Sequence, residues 1–390
     1  MTTDIHNPLL GLHQASETLE TLAYGPVEIV STFGEPQAEY AAVRKSVGLI
    51  DLPQVGFIEL TGKDRHAFLN NLLSNQTYDK AAKQPLKSGE SVYAFLLNLK
   101  GRVVCDLWVI ESTDRTLLAV DVRLIDTLIV LLNRYLFADD VRVRSLVNET
   151  HAMALHGPRA VELCDAEIIN GRIIGAAVVT WRDDVCGVPG VHIAVATSSA
   201  EAVWSHLVSR HGGEIELGKR LLRPIGWAAF NATRIENGRG LFGIDFELAA
   251  PSMPGAKPGP DEPARAPGVL PAETGLLDQA VSFTKGCYLG QEIVARMHAR
   301  KQVARLLVGL RVDAGALPIA GEHVIDASDN PIGVITSSTM SPMLSDAAIA
   351  LAIVKKPHFE IGTVVRVPAE GAMRNATVVA TPFIPRSPAI

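Results

Sequence analysis

None of the four cysteines (Cys105, Cys164, Cys186 and Cys287) stands in C-x-x-C spacing, and the 11 histidines show no H-E-x-x-H or comparable ligand pattern. Those absences argue against a zinc site held by the protein, and at 390 residues the chain is too long to be a disulfide-stapled miniprotein. Long apolar runs are missing too. Leu124 to Leu132 is broken by Asp126 and soon followed by Arg134, far short of the roughly 20 apolar residues a membrane helix needs, so no membrane span is expected despite a mean hydropathy of +0.20. There is no excess of positive charge: 36 Lys and Arg against 42 Asp and Glu leave a net −6, which excludes a polybasic coat for nucleic acid. The first residues carry neither a basic n-region nor an apolar core. With the cysteine usage, this leads to the expectation of a reduced, cytoplasmic setting. What is present is 390 residues, 47% hydrophobic and 20% charged, enough for two or three domains with sizeable cores.

Short strand-like runs alternate with helical periodicity through the first part of the chain. Pro26 to Ser31 reads as a strand, and the fold is expected to begin near residue 25. Phe57 to Thr61 precedes a helix running to Leu73, and Tyr93 to Leu99 pairs with Arg102 to Ile110 through Lys100 and Gly101. A comparable order of elements follows from Ala152, through strands near Ile173 to Trp181 and Val191 to Val195, to a helix over Ser199 to His211. After residue 300 the pattern changes to short strands separated by turns, which predicts a small all-β barrel or sandwich. The expectation is an α+β protein with subdomains at 25–150 and 151–300 and a β-barrel at 301–390. Pro251 to Pro271 is dominated by Pro, Gly, Ala and charge and reads as an exposed loop, either a surface insertion or a lid.

The densest chemical signal is Lys285-Gly286-Cys287-Tyr288-Leu289-Gly290-Gln291-Glu292. Two glycines flank the thiol, Lys285 is cationic, and a helix starting near Leu289 would aim its N-terminal amides at Cys287; both charge and dipole favour a thiolate. The competing reading is an inert cysteine in a tight turn. Upstream, Gly226 to Glu236 reads as a helix stopped by Asn237 and Gly238. Glu236 then sits in the last turn, where the dipole disfavours a carboxylate by about 0.3 to 1 kcal/mol. Such a carboxylate could take the N–H and NH2 edge of a pterin or guanine, or simply pair with Arg234 or Arg239. The run Gly238 to Gly243 spells G-x-G-x-x-G but follows a helix instead of a strand, so it is not a dinucleotide fingerprint. Asp106 is placed on one strand face with Val104, Trp108 and Ile110, an acid that needs a hydrogen bond or an exposed edge. Arg296, His298, Arg300, Lys301 and Arg305 form a basic run, either a solvated face or a polyanion contact.

The run Ser282 to Glu292 resembles the K-G-C-Y-x-G-Q-E signature of the YgfZ family of folate-binding proteins, relatives of the glycine-cleavage T-protein (aminomethyltransferase). Arg234 to Gly238, with Leu241 to Asp245, is similar to the segment that carries a folate-contacting glutamate in both groups. Gly333 to Ser338, before Ser341-Pro342, and Ala348 to Val354 extend the likeness, which spans roughly residues 30 to 385. The resemblance implies two α+β subdomains and a C-terminal β-barrel in a cloverleaf around a central hole for tetrahydrofolate or a one-carbon derivative. Glu236 would take the pterin edge, with Arg234, Tyr288 and Gln291 as further cofactor contacts. Cys287 and Lys285 would form the functional motif, with Asp106 available near N5 and N10 of the folate. It further implies support of iron–sulfur cluster assembly or repair, with indirect effects on tRNA modification. The alternative is an aminomethyltransferase or demethylase. T-proteins carry paired aspartates where this chain has Cys105-Asp106, and they lack the cysteine signature.

Overall fold

Alternation with a period of two places Val308, Leu310 and Val312 inward from one strand and Ala348, Ala350, Ala352 and Val354 inward from the next. A pleated strand needs no other device to build a core. In the computed structural model, which describes residues 5–216, 219–246, 268–300 and 303–385, these strands belong to a closed six-stranded barrel. Its order is Arg305–Val312, Ala347–Lys355, Pro331–Ser341, His323–Ile325, Val364–Ala369 and Ala372–Val379. The interior is filled largely by Val and Ala, the small residues that a narrow barrel admits. The expected mixture of α+β elements and a C-terminal barrel is therefore what the chain forms.

The chain divides into two compact units. The first comprises Met1–Arg65, Leu86–Ser91 and Trp108–Arg234. It holds a six-stranded sheet ordered Arg172–Ile173, Ala176–Arg182, Gly190–Ala196, Thr150–His156, Val47–Asp51 and Leu222–Ile225. Its pairings are antiparallel except the last, where Leu222–Ile225 runs parallel to Val47–Asp51. Helices Ala160–Glu167 and Thr197–His211 cover one face, burying Leu163, Val203, Trp204 and Leu207 against Val191, Ile193 and Val195. Order also begins earlier than residue 25. Leu9 is fully buried with Leu12 packed beside the same core, and Glu20–Tyr24 pairs antiparallel with Val27–Thr32; the polar composition of the opening segment hid the leucines that anchor it.

The second unit comprises His66–Pro85, Val92–Leu107 and Ile235–Ile390. Besides the barrel it contains helix Gln291–Arg300 and most of strand Ser91–Leu97. A bulge between Ile335 and Ser337 interrupts the pairing of Pro331–Ser341 with Ala347–Lys355. Adjacent strand residues ordinarily face opposite ways, and a bulge lifts that rule. Both the Thr336 and the Ser337 hydroxyl consequently donate to Asp245 Oδ1 at 2.6 Å, while Asp245 Oδ2 accepts the Leu241 amide at 2.9 Å. Segment 241–246 is thereby fastened to the barrel wall. Of the Pro-rich stretch, residues 251–267 lie outside the described residues; Pro271 opens a short 3-10 turn, Pro271–Glu273. Among the described residues no helix is long and apolar enough to cross a membrane.

Candidate functional site

Helix Trp227–Glu236 ends where the sequence places its stop: Gly238 adopts φ +68° and its amide donates to the Ile235 carbonyl at 2.8 Å. Only a residue without a Cβ takes that left-handed geometry cheaply. Glu236, in the terminal turn, has no exposed surface and accepts a hydrogen bond from Ser341 Oγ at the end of the bulged barrel strand. Arg234, two residues before it, is also fully buried, and its Nε donates to Asn231 Oδ1 at 2.9 Å.

Strand Val103–Glu111 buries Val103, Cys105, Leu107 and Val109 on one face and leaves Val104, Asp106 and Trp108 half-buried on the other. Ile110, expected on the Asp106 row, is itself fully buried. Asp106 Oδ2 accepts the Tyr93 hydroxyl at 2.7 Å, and the Arg239 guanidinium lies 4.8 Å from the centre of the Tyr93 ring while donating to Gln279. The acid is thus neither bare nor simply at an edge; a phenol orients it.

The cysteine motif is arranged differently from its expected geometry. Helix Gln291–Arg300 starts two residues after Leu289, and Cys287 precedes its first turn. Lys285 is buried, and its ammonium donates to the backbone carbonyls of Asn70, Leu73 and Asn75 at 2.6, 2.5 and 2.9 Å. It also lies 4.9 Å from the Tyr288 ring centre. Burial, with the neighbouring Lys80 charge adding to it, lowers Lys285 to about 7; the three carbonyls favour the charged form and act in the opposite sense. Cys287 is exposed, whereas Cys105, Cys164 and Cys186 are buried. Burial, the first cause, pushes Cys164 and Cys186 up to about 12. Gln291 is half-buried at the helix start, and Tyr288 is buried. In the basic run, Arg296 is paired with Glu292 and Arg305 with Glu273, His298 stacks on Phe283 at 3.9 Å, and Lys301 lies outside the described residues. The contacts thus group Lys285 with Tyr288, Asp106 with Tyr93 and Arg239, and Glu236 with Ser341.

The first unit holds a further constellation that sequence reading missed. His156, Trp181 and His192 come from three neighbouring strands, with Trp181 directly opposite His192 and stacked on it at 4.9 Å. His156 meets His192 edge-on at 5.4 Å and packs beside Phe230 at 5.6 Å. Neither ring nitrogen of His156 has a hydrogen-bond partner, nor does the Trp181 indole N–H. Burial, followed by the neighbouring His192, lowers His156 to about 3, so it is neutral at physiological pH. Buried polar atoms without partners are rare and call for an explanation. The local signal was a histidine inside the apolar strand Val191 to Val195, but its partners are separated from it by up to 36 positions.

Two family models match the chain. The model of the GCVT N-terminal domain matches residues 22–250, more than half of the chain, and that of the glycine cleavage T-protein C-terminal barrel domain matches residues 305–384. An aminomethyltransferase of Chloroherpeton thalassium is 26% identical over 97% of this chain and 98% of its own length. The crystal structure of glycine cleavage system aminomethyltransferase T from Bartonella henselae superposes with a TM-score of 0.79 at 23% identity, covering 98% of this chain and 99% of that one.

Proposed function

We propose, since the chain belongs to the glycine cleavage T-protein family, that it binds tetrahydrofolate or a one-carbon derivative. We further read it as a member of the YgfZ branch, supporting iron–sulfur cluster assembly or repair in the cytoplasm and affecting tRNA modification indirectly. The observation that carries the folate reading is Glu236, a fully buried carboxylate at a helix C-terminus with the Ser341 hydroxyl on Oε1. A carboxylate of this kind can take the N–H and NH2 edge of a pterin through two charge-assisted hydrogen bonds. Arg234, Tyr288 and Gln291 are the remaining candidates for holding the cofactor. Bound tetrahydrofolate would supply a carrier for a one-carbon unit at N5 and N10.

Cys287 is the working group in this reading, presented in the loop that Lys285 anchors, and iron–sulfur proteins or their assembly machinery are the partners. Deletion of the gene should lower the activity of cluster enzymes under oxidative stress, and Cys287→Ala should fail to restore it. Full cluster-enzyme activity in the deletion strain, or full complementation by the alanine variant, contradicts the reading.

One-carbon transfer is the second reading. It is favoured by the names of the relatives and by Asp106, which Tyr93 holds in a fixed orientation. Conversion of tetrahydrofolate to its methylene or methyl form with glycine-cleavage components, sarcosine or methoxyaromatics, lost in Asp106→Asn, would establish it. No conversion with any of them ends it. Direct tRNA contact through the Arg296 to Arg305 run is the weakest option and demands salt-sensitive retention.

A further inference from the structure

Lys285 stands two residues before the exposed thiol, yet its hydrogen bonds run away from it. The carbonyls of Asn70, Leu73 and Asn75 that receive its ammonium belong to the end of helix Arg65–Leu72 and the turn after it. A helix leaves its last carbonyls without internal donors and favours a cation at that end. An ammonium has three N–H bonds, and here each has an acceptor. The same turn grips the preceding residues at three more points: Ser74 Oγ donates to the Ala280 carbonyl at 2.6 Å, the Ser282 amide to the Ser74 carbonyl at 3.0 Å, and Asn75 Nδ2 to the Gln279 carbonyl at 2.9 Å. On the far side of the thiol, Tyr288 is buried with its ring 4.9 Å from Lys285 Nζ. Gly290 then presses against the hairpin turn, where a Cβ would stand 2.6 Å from the Asn98 carbonyl oxygen. Gly286 and Cys287, between these anchors, are exposed. The side chains of 285 and 288 meet underneath, and the thiol is carried on the crown.

We propose that Lys285 is a positioning residue whose ammonium fastens the base of the 285–288 arch to the end of helix Arg65–Leu72 and so holds the Cys287 thiol outward in a fixed place. The proposal deepens the reading of Cys287 as the working group and rests on it for its functional meaning. The cation is spent on carbonyls, so its loss loosens the arch. Deprotonation leaves two N–H bonds for three carbonyls and turns a lone pair toward the third. Lys80 and Tyr288 are the titratable side chains identified facing it, the other partners named being carbonyls.

Amide hydrogen exchange across residues 282–290 of the full chain, from pH 6 to 10.5 and corrected for intrinsic exchange, tests this in the wild type and in Lys285→Met. The methionine variant keeps the apolar stem against Tyr288 and removes the charge. Hydrogen bonds to charged groups predict exchange roughly ten- to a hundredfold faster than wild type at pH 6, with no step at higher pH, while the wild type rises toward the variant as Lys285 loses its proton. Wild-type exchange in Lys285→Met overturns the proposal. Should that variant not fold, a wild-type profile without a step overturns it instead. The readout involves neither folate nor client proteins, so failure of the clamp is distinct from a Cys287→Ala protein that complements fully, which removes the function and leaves the clamp.

Discussion

Replacing Gly290 by alanine separates two reasons for a glycine in the cysteine motif. At φ +78° an alanine carries the left-handed penalty, about 1 to 2 kcal/mol. Its Cβ would also stand 2.6 Å from the Asn98 carbonyl oxygen and 3.0 Å from the Gly101 Cα. Both are backbone atoms of a tight turn, so no side chain can swing aside. Moving the turn adds strain of about 1 to 3 kcal/mol, for a total loss of about 2 to 5 kcal/mol. Gly171→Ala is the internal control: its φ of +72° is nearly the same, but nothing lies within 4 Å of the added Cβ. Urea denaturation of both variants should show Gly171→Ala losing only the conformational part, and the difference between them measures the close approach. Equal losses in the two variants, or a Gly290→Ala loss under about 0.5 kcal/mol, refute the packing argument.

Two further outcomes follow from buried groups. His156 takes up a proton in the unfolded chain below its ordinary value near 6.5 but in the folded protein only near 3, so the unfolded state binds more protons and stability falls as pH drops through that window. The slope attributable to this one group is at most about 1.4 kcal/mol per pH unit, and His156→Phe should remove it from the acid limb measured by denaturation. An unchanged slope would mean the ring titrates freely. Ellman's reagent should react quickly with one thiol in the native protein, none in Cys287→Ser, and four in denaturant, because Cys105, Cys164 and Cys186 are buried; a second fast thiol in the native protein would contradict the packing around those three.

Period-two patterning made the barrel legible, since alternation of Val and Ala reports burial directly, and the Asn237-Gly238 stop made the end of the Glu236 helix legible. The bulge at Thr336 was not, because the carboxylate that its hydroxyl meets lies 91 positions upstream. Lys285 shows the limit most clearly. Its nearness in sequence to Cys287 suggested a charge acting on sulfur, but the helix end at residues 70–75 offers three carbonyls at hydrogen-bond distance, and a buried ammonium goes where its donors are satisfied. The His156, Trp181 and His192 group was equally hidden, because each residue alone looks like an ordinary member of an apolar strand.

Anaerobic calorimetric titration of tetrahydrofolate into wild type and Glu236→Gln tests the pterin-binding carboxylate most directly. Glutamine still accepts the Ser341 hydroxyl through its amide oxygen but loses the charge-assisted pair, so saturable binding by the wild type and affinity weakened roughly ten- to a hundredfold in the variant are predicted. Equal affinity in the two proteins, or no saturable binding by the wild type, contradicts the account.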